Sequence, residues 1–183
     1  MDPRKRWIAT TLVGGPLVIA SYVYGAVVPP PEGTAGIWGG VPDDWKPLYT
    51  VNMLLAASGF FLFAQHLLRT DAASARARIG SREVGFEALT PIFAGIVFPS
   101  ALWLPLTYAM LASPSTAMWI AILACLGCVG LASVALLAFL VTMKPHPGPV
   151  SRALAIAGAV PFAFQTAVLD ALVWPWFFPS VTA

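Results

Sequence analysis

The chain has 183 residues, of which 58% are hydrophobic and 10% charged, and its mean hydropathy is +0.80. Soluble domains carry about 25% charged residues, so this composition argues against a soluble globular protein and indicates one membrane domain over residues 1–183. The net charge of +2, without a basic stripe, excludes a typical nucleic-acid-binding protein.

Five apolar stretches follow one another along the chain, at residues 7–28, 48–68, 88–112, 117–141 and 153–178. Each is long enough for a transmembrane helix, which needs about 20 mostly apolar residues. The runs are continuously apolar rather than alternating, which favours helices over barrel strands. The first run exceeds the apolar core of a signal peptide, so we interpret it as a retained helix. The sequence therefore predicts an all-α integral membrane protein, a five-helix transmembrane bundle.

The basic residues predict how this bundle is oriented. Five spans create two alternating sets of connections, and one set holds nine of the ten Lys and Arg residues. These nine are Arg4, Lys5, Arg6, Arg69, Arg76, Arg78, Arg82, Lys144 and Arg152, and the other set holds Lys46. The positive-inside rule then puts the N-terminus in the cytoplasm and the C-terminus outside. This rule holds in bacterial and organelle membranes alike, so it does not tell them apart. We take the bacterial inner (plasma) membrane as a working assignment.

The connections differ in character. The outer loop 29–47 between helices 1 and 2 is rich in Pro, Gly and Trp, and Trp38 and Trp45 predict a folded cap rather than a disordered segment. The inner loop 70–80 is expected to contact anionic lipid head groups. It is also expected to lead into a short helix capped by Ser81, with Glu83 and Glu87 one turn apart.

Aromatic residues concentrate at the outer end of the predicted bundle, where six of the seven tryptophans fall. One interpretation is an aromatic belt that anchors the protein at the membrane surface. The other is an outward-facing, aromatic-lined pocket for a lipophilic or amphipathic small molecule. The candidate ligand-binding residues are Asp170, Thr166, Trp174, Trp103, Trp38, Trp45, Tyr49 and Tyr108.

Asp170 is the polar residue that favours a pocket. Apart from Glu87 at a boundary, it is the only acidic residue within the apolar runs, and such residues are functional candidates by default. At helical spacing it shares a face with Thr166 and Trp174. It could hold a cationic ligand together with the aromatic faces, or carry a proton. The structural alternatives are hydration at the interface, or hydrogen bonds across helices to hydroxyls such as Ser100 or Thr107.

Cys125 and Cys128 form a C-x-x-C pair in the fourth apolar run. Over these residues the chain resembles the small membrane thiol–quinone oxidoreductases, which include the disulfide-generating and vitamin K epoxide reductase enzymes. That resemblance implies redox chemistry with a second cysteine pair, yet this chain has no third cysteine. The alternative is a helix-packing face of small residues, in which Ala124, Cys128 and Ala132 recur every four positions.

Three hypotheses for function remain. The leading one is a non-enzymatic membrane protein, acting either as an accessory subunit of a membrane complex or as a binder of a lipophilic ligand. The second is a small transporter that uses Asp170 as its coupling or substrate-binding carboxylate. The third is an enzyme acting on thiols, lipids or quinones through Cys125 and Cys128. The two histidines, His66 and His146, have no ligand cluster around them, so no metal site is predicted, and nothing in the sequence names a cofactor. Expected partners are membrane lipids, other membrane subunits or further copies of this chain.

Overall fold

The computed structural model describes residues 2–31 and 36–178, and in that part of the chain five helices are long and apolar enough to cross a membrane. The helices are α1 (Pro3–Val27), α2 (Lys46–Arg69), α3 (Leu89–Ala112), α4 (Thr116–Thr142) and α5 (Pro149–Ala163). Helix α5 continues into a wide π-helical segment, Phe164–Val173, and a last turn, α6 (Trp174–Phe177). The predicted number of helices that are long and apolar enough to cross a membrane is confirmed.

Local capping explains several helix ends. The Asp2 carboxylate accepts a hydrogen bond of 3.1 Å from the Arg4 amide, and Pro3 opens α1 where a missing N–H does no harm. The Ser115 hydroxyl accepts a hydrogen bond of 3.2 Å from the Met118 amide and caps the start of α4 in the same way. These caps fix where α1 and α4 start.

The helices pack in the order α1, α3, α4, α5 and α2, with α1 along α3 and α2 along α5. Contacts also define two ends of the bundle. At one, which we call the hairpin end, Arg4 donates to the Thr70 carbonyl and the His66 ring lies 2.8 Å from Ser151 Oγ. At the other, which we call the cap end, the Tyr108 hydroxyl donates to the Gly25 carbonyl at 3.0 Å. Successive helices therefore run in alternating directions.

Two buried clusters fill the bundle. The cluster at the hairpin end is built around Trp7, Phe63, Phe93 and Phe139, and the cluster at the cap end around Trp174 and its neighbours. Trp7 meets Phe93 edge-on with ring centroids 5.4 Å apart. The first cluster fills the interior of the hairpin half of the bundle, and an open groove of about 310 Å³ lies beside it between the end of α2 and the start of α5.

The segment after α2 is a β-hairpin, which corrects two expectations. Strands β1 (Arg76–Ile79) and β2 (Arg82–Gly85) pair antiparallel around a turn at Gly80, where φ is +60°. The predicted helix capped by Ser81 is therefore wrong, and the bundle is not purely α. Gly80 and Ser81 form a two-residue turn that suits the twist of paired strands, and this turn outweighs the helical spacing of Glu83 and Glu87.

The hairpin is fastened to the end of α4. The Arg76 and Lys144 backbones exchange two hydrogen bonds of 2.8 Å. The Thr142 hydroxyl accepts from the Arg78 amide at 2.8 Å and lies 3.0 Å from its carbonyl. This fastening gives the basic segment a fixed place on the bundle.

The described part of the loop between α1 and α2 is folded, as predicted. It forms short 3-10 turns at Gly36–Trp38 and Asp43–Trp45, and Val41 is buried. The Gly40 amide donates to the Phe177 carbonyl at 2.6 Å, which ties the loop to the end of the last helix. Residues 32–35, which include the acidic Glu32 of this loop, lie outside the described residues.

Candidate functional site

A cavity of about 260 Å³ lies at the cap end between α1 and α2, beneath the turn that contains Trp38. Five of the eight predicted ligand-binding residues line it, namely Asp170, Trp174, Trp103, Trp38 and Tyr49. They come from three helical elements and the loop, so residues far apart in the sequence share one wall.

The other three predicted residues lie elsewhere. Thr166 faces α4, where its hydroxyl donates to Ser133 Oγ at 2.5 Å. Tyr108 donates to the Gly25 and Val28 carbonyls, at 3.0 and 2.9 Å, and so holds the end of α1. Trp45 is 44% exposed and packs on Phe177. These residues support the fold around the cavity and do not line it.

A polar chain that the sequence does not reveal leads to Asp170. The Asn52 amide on α2 donates to Gln165 Oε1 at 3.0 Å, and Gln165 Nε2 donates to Asp170 Oδ1 at 2.8 Å. Asn52 also donates to the Pro161 carbonyl at 3.0 Å. The chain orients the Gln165 amide so that its N–H groups face the carboxylate, which favours Asp170 as a hydrogen-bond acceptor.

The π-helical segment explains why Asp170 meets Gln165. A π-helix bonds residues five apart, whereas an α-helix bonds residues four apart. Asp170 therefore pairs with Gln165, and the expected shared face with Thr166 does not form. Tyr49 on α2 supports the same segment by donating to the Leu169 carbonyl at 3.0 Å. Shorter π-helical insertions in α-helices are frequent at functional sites, and this segment extends the same geometry over ten residues.

The aromatic side of the cavity is organised around Trp174, which is 3% exposed. Its indole N–H donates to the Ile37 carbonyl at 2.9 Å and fixes the loop above the cavity. The ring meets that of Trp103 edge-on, with centroids 5.8 Å apart. Trp38 meets Tyr49 edge-on at 5.8 Å. Large aromatic surfaces therefore enclose the space beside the carboxylate.

No cation neutralises Asp170 among the described residues. The only ion pair in that part of the chain joins Lys46 to Asp43 at 2.6 Å, outside the cavity. The second carboxylate oxygen of Asp170 likewise accepts no hydrogen bond from a described residue. The expected alternatives, Ser100 and Thr107, do not bond it, since the Thr107 hydroxyl donates to the Trp103 carbonyl at 2.9 Å.

The two cysteines are free thiols, and their surroundings indicate packing. Cys128 Sγ lies 3.6 Å from the Gly95 carbonyl on α3. A Cβ added at Gly95 would lie 3.2 Å from Ala132 Cβ and 3.6 Å from Cys128 Sγ, so α3 and α4 approach closely here. Cys128 and Ala132 thus lie at a close contact between α3 and α4, although Cys128 is exposed, and Ala124 is exposed as well.

We expect Cys128→Ala to leave the thermal midpoint of the protein nearly unchanged, because alanine keeps the small volume that the α3–α4 contact requires. Cys128→Leu should lower the midpoint slightly, because the longer side chain meets the α3 backbone at Gly95 and has to turn towards the exposed side of Cys128. Differential scanning fluorimetry in detergent measures both. A marked decrease of the thermal midpoint in Cys128→Ala, with no decrease in Cys128→Leu, would contradict a packing role.

The two histidines lie near the hairpin end, outside any larger group of metal-ligating side chains among the described residues. The His66 ring lies beside Ser151, and His66 Nε2 and His146 Nδ1 are buried without a described partner. Across residues 2–31 and 36–178 there is no group of three or more His, Cys, Asp or Glu side chains that could hold a metal ion.

Comparison of the chain with protein-family models, with curated proteins and with solved structures gives no match. The cavity at the cap end is therefore the basis for a functional proposal.

Proposed function

We propose that this protein is a multi-pass membrane protein that binds an amphipathic, lipophilic ligand in the cavity at the cap end. The observation that carries the proposal is the combination of an aromatic wall with one anchored carboxylate, Asp170, in a single cavity. Small-molecule sites are mostly apolar and aromatic, with a few fixed polar groups that orient the ligand.

The position of the cavity supports access from the membrane. Its wall includes Tyr22 of α1 and Met53 of α2, which are 46% and 36% exposed. Both residues lie on apolar helices that would face lipid in a bilayer. A ligand dissolved in the membrane would pass between α1 and α2, without crossing the aqueous loops.

The packing at the hairpin end favours a binder over a transporter. A transported substrate needs access from both sides of the membrane in turn. Below the cavity, the side chains of Phe63, Phe93 and Leu136 are at most 1% exposed and fill the bundle. One-sided access suits a protein that holds or presents its ligand.

The charge distribution supports one orientation for this function. The hairpin end carries nine of the ten basic residues and the cap end carries Lys46. With the hairpin end in the cytoplasm, the cavity opens towards the outer leaflet of the membrane. Cysteine accessibility tests this orientation: a membrane-impermeant maleimide added to intact cells should label a cysteine placed at Asp44, and should not label one placed at Ser81.

Native mass spectrometry of the protein, released from its own membrane in mild detergent, tests binding. We expect a discrete small-molecule mass on the wild-type protein. Ala26→Phe puts a ring into the cavity wall and should remove that mass. Val23→Phe, on the exposed face of the same helix, should keep it.

Two results would overturn the proposal: no bound mass on the wild-type protein, or equal retention by both variants. Co-purification with unrelated subunits at a fixed ratio would instead support the accessory-subunit hypothesis. The same spectra report whether the chain is a monomer or a homo-oligomer.

A further inference from the structure

The chemistry around Asp170 defines the head group that the cavity would accept, and this inference rests on the proposed function. Asp170 is the one charged residue among those that line the cavity. One of its oxygens is held by Gln165, and Gln165 is held in turn by Asn52. The carboxylate is thus fixed in place by neutral groups and keeps a second oxygen available to the cavity.

The missing counter-charge is the central observation. Buried or intramembrane charges are paired in most proteins, because an isolated charge is expensive in a low-dielectric medium. In the described structure, Asp170 has no Lys, Arg or His at ion-pair distance, and Lys46 at the same end is engaged by Asp43. An ionised Asp170 therefore needs a partner charge that the described residues do not supply.

The aromatic wall fits the same ligand. Tryptophan and tyrosine faces attract cations through the ring quadrupole, and groups of such rings recognise quaternary ammonium ligands. Trp38, Tyr49, Trp103 and Trp174 surround the space next to Asp170. An anionic head group would meet a carboxylate with no basic residue to offset the repulsion.

We infer that the ligand carries an ammonium head group, seated between the Asp170 carboxylate and the tryptophan faces, on an apolar tail. The cavity volume of about 260 Å³ is small for a whole lipid-like molecule, since drug-sized sites span about 300–1,000 Å³. The head group fills the cavity, and the tail leaves between α1 and α2 into the hydrocarbon.

The test compares two probes with the same tail, decyltrimethylammonium and decyldimethylamine oxide, on the purified protein in dodecyl maltoside at pH 7.5. The head groups are similar in size, and only the first carries a net positive charge. Tryptophan fluorescence follows binding, and the partition of each probe into the micelles is measured without protein, so that the affinities of both probes are compared at equal free concentration. We expect the wild-type protein to prefer the cation by about tenfold, and Asp170→Asn to reduce the preference to less than about twofold.

Two controls separate the charge effect from damage to the fold. Asp44→Asn removes an exposed carboxylate at the same end of the bundle and should keep the preference. Asp170→Glu retains the charge and should retain part of the preference. If Asp170→Asn does not fold, the comparison of the two probes on the wild-type protein still tests the inference, because equal affinities for the two probes would overturn it.

The outcomes also distinguish this inference from the proposed function. Equal affinities of the two probes for the wild-type protein, both weakened by Ala26→Phe, would reject the cationic head group and keep the ligand-binding cavity. Binding of both probes that is unaffected by Ala26→Phe would place them outside the cavity, and both proposals would then fail.

Discussion

Replacing Gly59 by alanine is expected to lower the stability of the bundle by about 3 kcal/mol, the upper part of the range for overpacked sites. A Cβ at Gly59 would clash with the Gly158 carbonyl oxygen and would lie 2.7 Å from the Gly158 Cα. These are backbone atoms of α5, so no side chain can rotate away. The two helices must separate, and every contact along the α2–α5 interface weakens with them.

Gly158→Ala should have a similar effect, because its Cβ would lie 2.6 Å from the Gly59 carbonyl oxygen. The free energy of unfolding of the double variant is expected to fall by less than the sum of the two single decreases, since one separation of the helices relieves both clashes. Thermal unfolding in detergent, followed by circular dichroism, measures all three variants.

The matched control is Gly127→Ala on α4, where an added Cβ would meet nothing within 4 Å. Alanine stabilises a helix interior by about 0.5–1 kcal/mol relative to glycine, so this variant should unfold slightly later than the wild-type protein. If Gly59→Ala and Gly127→Ala behaved alike, the close approach of α2 and α5 would be refuted.

Trp174→Ala is the second change with a large expected effect. It should lower the free energy of unfolding by about 3–5 kcal/mol, as the truncation of other buried aromatic residues to alanine does. Trp174 stacks on Phe178 with ring centroids 4.4 Å apart and contacts Trp103 and Trp119. Its removal also takes the hydrogen bond from the Ile37 carbonyl. Thermal unfolding measures the loss, and hydrogen exchange of residues 36–41 should increase more than that of α4.

Trp176→Ala provides the control, since Trp176 lies two positions along the chain and is 87% exposed. Its removal should change the unfolding free energy by less than about 0.5 kcal/mol. Trp174→Phe separates packing from the hydrogen bond, because it keeps most ring contacts and loses only the indole N–H. Equal losses for Trp174→Ala and Trp176→Ala would show that the aromatic cluster does not hold the cap.

The spanning helices could be predicted because they follow from a strong physical requirement. Hydrocarbon leaves no partner for an unpaired backbone group, so a long apolar run must become a helix. The predicted run 117–141 and the observed α4, Thr116–Thr142, differ by one residue at each end. Apolar length predicts where a helix lies, and it does not predict which neighbour the helix packs against.

The hairpin carried a readable signal. Gly80-Ser81 separates two short runs in which buried Ala77 is flanked by exposed Arg76 and Arg78. A Gly-Ser pair between alternating runs is typical of a two-residue β-turn. The spacing of Glu83 and Glu87 suggested a helix, and that local argument lacked the strand partners, Thr142 and Lys144, which only the folded chain brings near.

The composition suggested an aromatic-lined pocket as one of two interpretations, and it did not reveal how such a pocket is built. Aromatic residues and Asp170 could be placed at one end because depth follows from position within a span. The polar chain through Asn52 and Gln165 could not be found, since it joins α2 to a segment more than 100 residues later. The π-helical geometry was equally hidden, because no residue type signals it as proline signals a kink.

The π-helical segment Phe164–Val173 also determines which way the side chains of the following turn, Trp174–Phe177, point around the helix axis. In an α-helix each residue advances by about 100°, so relaxing this segment by one residue would turn the chain beyond it by about that angle. Trp174 would then leave its place over the cavity. Tyr49 and Asn52 bond carbonyls at Leu169 and Pro161, on either side of Gln165. Helix α2 thus helps to hold the rotational position of the last helix, and through Asn52 and Gln165 it is joined by hydrogen bonds to Asp170 itself.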